Sequence, residues 1–174
     1  MAREVSRRSF LKTGAAGAGA AAMAAMPIPA AAVAARSAPH QDLEEMTIAE
    51  MQAAMGAGRL SSRELTAAYL ARIRALDKGP HGLRSIIQTN PDALAIAGEA
   101  DRLRRKGQVL GPLHGIPIVL KDNIDTDDSM RTTAGSLALV DSTVGQDATV
   151  TAQLRAAGAV ILGKANLSEG ANFR

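Results

Sequence analysis

From Met46 onward, polar and apolar positions fall into short patterns with clear starts and stops. Met46-Thr47-x-x-Glu50-Met51 combines a capping box (Thr47, Glu50) with an apolar pair that brackets it, Met46 and Met51. The pattern predicts a helix running to about Gly56–Gly58. Leu60-Ser61-x-x-Glu64-Leu65 repeats the device. Behind it, Leu65, Tyr69, Ile73 and Leu76 recur at helical spacing, and Gly79-Pro80 stops the run. A short strand fits Ser85–Thr89. Asn90 is then expected to cap a third helix with Pro91 in its first turn. That helix closes on the basic run Arg102–Lys106 before Gly107, a solvated end that suits the negative pole of the helix dipole.

In the second half the period changes. Ile116 to Leu120 is a continuous apolar run ending at Lys121, and Pro117 confines it to a strand start or a sheet edge. Asp147 opens a helix with Val150 and Leu154 inward, closed by Gly158, and Ala159–Gly163 is a second apolar strand. Strand, helical crossover and strand imply parallel pairing, and strands this apolar are expected to be covered on both faces. The fold class is α/β, with helices flanking parallel strands.

The first 40 residues are a different polymer. They hold 15 alanines and five basic residues (Arg3, Arg7, Arg8, Lys12, Arg36) against Glu4 alone, net +4. The remaining 15 basic and 16 acidic residues leave positions 41–174 at net −1. The formal charge of +3 is therefore no sign of a nucleic-acid partner. Ser6-Arg7-Arg8-Ser9-Phe10-Leu11-Lys12, an Ala/Gly run to Ala35 and small residues at its exit describe a twin-arginine signal peptide. Arg7 and Arg8 are its defining pair. Expected cleavage lies near residues 34–38, giving a signal and linker over 1–40 and a protein exported to the periplasm or beyond. Thr13–Ala35 is long enough to span a bilayer, but Ala and Gly insert weakly, so stable anchoring is not expected.

Composition narrows the chemistry. With no Cys and only His40, His81 and His114, thiolate zinc sites, iron–sulfur clusters and a Cys nucleophile are excluded, and no metal or other cofactor is expected. Lys121 is the most suggestive residue, because ligands of open parallel sheets bind at the carboxyl ends of strands. A lysine delivered there by an apolar run is expected to be partly desolvated, which favours its neutral, basic form. Lowering a lysine to the range of a working base takes roughly 4 kcal/mol of differential destabilisation of its charged form. The competing reading is a lysine that reaches solvent or pairs with Asp125 or Asp127. Asp122 should point to the opposite face of the strand. The acidic run Asp122, Asp125, Asp127 and Asp128 reads as a polar turn, because Asp128 and Ala134 stand where a calcium loop needs Gly and Glu. Thr132-Thr133-Ala134-Gly135-Ser136 is a small-residue loop that packs on the sheet or lies near a substrate. Lys164 has a placement similar to Lys121, with packing or an ion pair as its expected role.

Gly111 to Ile124, reading G-P-L-H-G-I-P-I-V-L-K-D-N-I, resembles the lysine-bearing segment of the amidase signature family. Thr132–Ser136, Asp147–Val150, Leu154–Ala159 and Gly163–Glu169 are similar to the same family, as are Leu65-Thr66, Tyr69-Leu70 and Asn90–Leu94. The resemblance covers roughly residues 43–174. It implies a mixed-sheet α/β sandwich and an amidase acting on a small-molecule amide through a Ser-cisSer-Lys triad. Lys121 matches the lysine base, and Thr133, Gly135 and Ser136 would lie in the vicinity of the active site. The chain departs from the family pattern in two places. The sequence holds no Gly-Ser-Ser-Gly stretch, so the triad serines are not in it, and Ser136 and Ser168 belong to other segments of the pattern. Residues 41–174 are thus expected to be the N-terminal portion of an incomplete amidase domain, inactive alone. Gly170 stands where similar sequences often carry a bulky residue, which would weaken local packing. The alternatives are an amidotransferase A-subunit-like glutaminase of tRNA-linked transamidation, or a non-catalytic remnant that binds a partner.

Overall fold

The computed structural model describes residues 43–172. The signal and linker over 1–40, Arg7, Arg8, the cleavage region and the question of anchoring lie outside the described residues. Among the described residues, no helix is long and apolar enough to cross a membrane.

Both predicted capping boxes form. Thr47 caps α1 (Ile48–Gly56) and Ser61 caps α2 (Ser62–Arg72), and each hydroxyl accepts from the backbone N–H of a glutamate whose carboxylate bonds back. Each box satisfies donors that a helix start otherwise leaves open. Met46 packs on the cluster that contains Met51, as the bracketing pair requires. The helix after Ser61 does not stay α-helical: Ile73–Asp77 is a π-turn in which the Lys78 N–H reaches the Ile73 carbonyl. The wider turn rotates the side chains beyond it. Ile73 still packs on the core, whereas Leu76, expected inside, is 53% exposed.

Asn90 does not cap the third helix. Its side-chain oxygen accepts from Asp92 N–H in a local turn, and its amide nitrogen donates to the Ile161 carbonyl. Buried beside a strand, Asn90 stitches the turn to the sheet, and α3 (Ala93–Arg105) begins after Asp92. Part of the basic run is also engaged: Arg102 pairs with Glu99, and Arg104 donates to Gln52 and the His114 carbonyl. Asp147 does not cap α4 (Thr149–Ala156) either, because its carboxylate accepts from Asp127 N–H and from Arg155. Leu154 faces the core, but Val150 is exposed.

The sheet has strand order β1-β3-β2. β1 (Ile86–Thr89) pairs antiparallel with β3 (Val160–Ala165), and β2 (Pro117–Lys121) pairs with it in parallel, so the sheet is mixed. The β2–β3 ladder shifts register between Ile118 and Val119, just before Gly163, and the β1–β3 ladder between Ile86 and Gln88, opposite Ala165 and Lys164. A Cβ on Gly163 would stand 2.5 Å from the Gln88 carbonyl oxygen, which explains a glycine in the central strand. β3 is covered on both faces as expected. Val160 and Leu162 pack with Leu70, Ala93 and Ala97 of α2 and α3, while Ile161 packs with Leu120 and Met130. β2 departs from that expectation, because it is an outer strand of the described sheet and its Val119 is 37% exposed.

Candidate active site

Lys121 is the last residue of β2. Alternation along the strand turns Leu120 and Asp122 inward and leaves Val119 and Lys121 outward. Asp122 therefore points away from Lys121, as the sequence predicts. The expected desolvation of Lys121 does not hold: its side chain is exposed, since no described element covers the outer face of β2 at that point. The carboxyl end of the strand is held in place by backbone bonds. Asp122 N–H donates to the Ala165 carbonyl, Ile124 N–H to the Lys121 carbonyl, and Ala134 N–H to the Asp122 carbonyl.

The buried lysine is Lys164, which has no exposed surface. Its ammonium donates to the Ile124 carbonyl at 2.8 Å and to the Thr132 hydroxyl at 2.9 Å, and stands 4.0 Å from Asp122 Oδ1. Burial pushes this lysine below its ordinary pKa, against the opposing pull of Asp122, Asp128 and Asp125. The sequence contained a signal for this placement: the apolar run of β3 continues without a turn into Lys164, so the residue stays inside the central strand. Its expected packing or ion-pair role fits what is found.

Asp122 Oδ2 accepts from both the backbone N–H and the hydroxyl of Thr133. Lys164 and Asp122 thereby bring the loop Thr132–Ser136 to the carboxyl end of β2. Within the loop, Ala134 and Gly135 adopt positive φ, and a Cβ on Gly135 would come 2.9 Å from the Leu167 carbonyl oxygen. The Ser136 hydroxyl donates to Glu169 at 2.7 Å, and Gly170 N–H donates to the Ala134 carbonyl. Thr133, Gly135 and Ser136 are all half-buried. Gly170 itself has positive φ and open space around it.

The acidic run resolves into a polar turn. Asp128 accepts from Thr126, Met130 N–H and Arg155, and Arg155 also holds Asp147. Among the described residues, no group of His, Asp and Glu could hold a metal ion.

Similarity to known proteins extends over both parts of the chain. The family model for the twin-arginine translocation pathway signal sequence matches residues 4–24, which gives the chain an address for twin-arginine export. The structure superposes on the peptide amidase of Stenotrophomonas maltophilia with a TM-score of 0.71 at 57% identity, over 75% of this chain and 26% of that one. An amidase family protein from Bacillus anthracis str. Ames superposes at 0.69 with 41% identity, over 72% and 25% of the two chains. The A-subunit of a glutamyl-tRNA(Gln) amidotransferase from Chloroflexus aurantiacus is 46% identical over 129 residues, 74% of this chain and 26% of its own length. The chain thus spans about a quarter of the length of relatives such as these. The family model described as Amidase matches residues 64–174, and the chain belongs to that family.

Proposed function

We propose that residues 41–174 are the N-terminal portion of an exported amidase that hydrolyses carboxylic amide bonds, with Lys121 as its general base. Residues 1–40 are the signal and linker, cleaved near 34–38. The observation that carries the reading is the position of Lys121 in the Gly111–Ile124 segment: it ends a parallel strand, faces outward, and stands at the strand end to which the Thr132–Ser136 loop is tied. Thr133, Gly135 and Ser136 border the active site rather than react. The Ser136 hydroxyl is committed to Glu169.

In the reaction, Lys121 Nζ accepts a proton, through a bridging serine, from the serine that attacks the amide carbon. The proton is returned to the departing nitrogen as the C–N bond breaks, and water then releases the acyl group. In this reading both serines lie outside residues 41–174, in the part of the relatives' length that this chain does not span. Purified residues 41–174 should consequently leave an aryl amide such as 4-nitroacetanilide intact. Hydrolysis by that polypeptide, abolished by Lys121→Ala, would sink this reading.

A second reading has one observation in its favour, the 46% identity to an amidotransferase A-subunit. It would make glutamine the amide consumed, in transamidation tied to translation. The twin-arginine signal sequence speaks for the exported amidase instead. Glutamine-dependent ammonia release confined to the cytoplasm would favour the amidotransferase; amide hydrolysis in the exported fraction would favour the proposal.

A further inference from the structure

Lys164 is the ionisable group that the amidase reading leaves unused, and its surroundings are unusually well defined. It is fully buried in the central strand, paired in register with Leu120, one residue before Lys121. A methionine would fill similar space without taking a charge out of water. What an ammonium adds is three directed donors. One goes to the Ile124 carbonyl, which closes the turn after Lys121, and one to the Thr132 hydroxyl, which opens the small-residue loop. Asp122 Oδ1, a buried oxygen with no hydrogen-bond partner, lies 4.0 Å from the ammonium. The other oxygen of that carboxylate holds Thr133. Both ends of the segment 122–133 are thus fastened to one buried cation–carboxylate couple, and the residue that immediately precedes the segment is Lys121.

We propose that Lys164, acting with Asp122, is the positioning residue for Lys121: it sets the direction in which β2 delivers the base and the distance of the Thr132–Ser136 loop from it. The proposal rests on the reading of Lys121 as the base. Lys164 touches no substrate, and its effect passes through the backbone of residues 121–124 and through Thr132 and Thr133. A misplacement of about 1 Å at a reacting group can lower a rate by about a hundredfold, so a displaced anchor should be visible in turnover rather than in binding.

The test uses the intact amidase, this chain continued through its full reading frame, with 4-nitroacetanilide and a C-terminally amidated peptide as probes. Lys164→Met should lower kcat by about a hundredfold and leave KM within about twofold. Combined with Lys121→Ala, it should add no further loss, because it acts only through Lys121. Hydrogen exchange should quicken at the Ala134 and Gly170 amides while the amides of α2 and α3 keep their protection. Thr132→Val removes a single acceptor and keeps the shape; it should lower kcat several-fold, and it decides the matter if Lys164→Met does not fold. A kcat within twofold of wild type, a loss that multiplies with that of Lys121→Ala, or unchanged exchange at Ala134 overturns the proposal. Full activity in Lys121→Ala, or no amide hydrolysis by the wild type, instead overturns the amidase reading on which it rests.

Discussion

Asp77 shows how a single buried carboxylate joins a helix to a sheet. It ends the π-turn, and its oxygens accept from the Ser85 hydroxyl and from the backbone N–H groups of Ser85 and Ile86 at the start of β1. These bonds, that of the Ser85 hydroxyl foremost, hold its carboxyl below the ordinary aspartate value even though burial opposes them. A carboxyl whose pKa is depressed by folding contributes stability that is fully present above the unfolded value of about 3.9, and that is lost as pH falls through the folded value. Asp77→Asn should therefore be less stable than wild type near neutral pH, and denaturant midpoints should show the gap closing below about pH 4. A gap independent of pH would contradict this account. The burial of Asp77 was not legible in the sequence, and for Lys164 the apolar run of β3 signalled burial but not the groups that meet its ammonium. Which backbone donors and carbonyls reach a buried ionisable group is decided by tertiary contacts, and no local pattern carries that.

At the scale of elements, local chemistry was legible where it is self-contained. Thr47 with Glu50, and Ser61 with Glu64, meet within one turn, so both helix starts could be read directly. Asn90, Asp147 and Leu76 were misplaced for one shared reason, that a distant element or an altered turn competes with the local pattern. Asn90 is held by Ile161 and Asp147 by Arg155, and Leu76 is turned outward by the π-turn. Gly163 belongs to this scale as well, since its missing side chain lets β1 close on β3. Gly163→Ala must displace the Gln88 backbone and should cost about 1–3 kcal/mol, readable as a lowered denaturation midpoint with an unchanged slope. Stability equal to wild type would mean that the strands have room the structure does not show.

For the whole molecule, the charge arithmetic and the fold describe two separate tasks. The basic, alanine-rich start carries the export address, and the α/β portion carries the residue that the family resemblance marks as chemical. Changing Arg7 and Arg8 together to Lys should leave the precursor in the cytoplasm on cell fractionation, with the amidase portion still folded. Undiminished export would break the link between that pair and the route. The family was legible because Gly111–Ile124 is long and specific, whereas the exposure of Lys121 was not, because it depends on what lies over the outer face of β2. The measurement that bears most directly on the role of Lys121 is the turnover of 4-nitroacetanilide and of the amidated peptide by the intact exported enzyme and by its Lys121→Ala variant, both shown to be folded. Removal of the base should lower kcat at least a hundredfold, and a variant that keeps turnover within a few-fold of wild type would show that Lys121 is not the base.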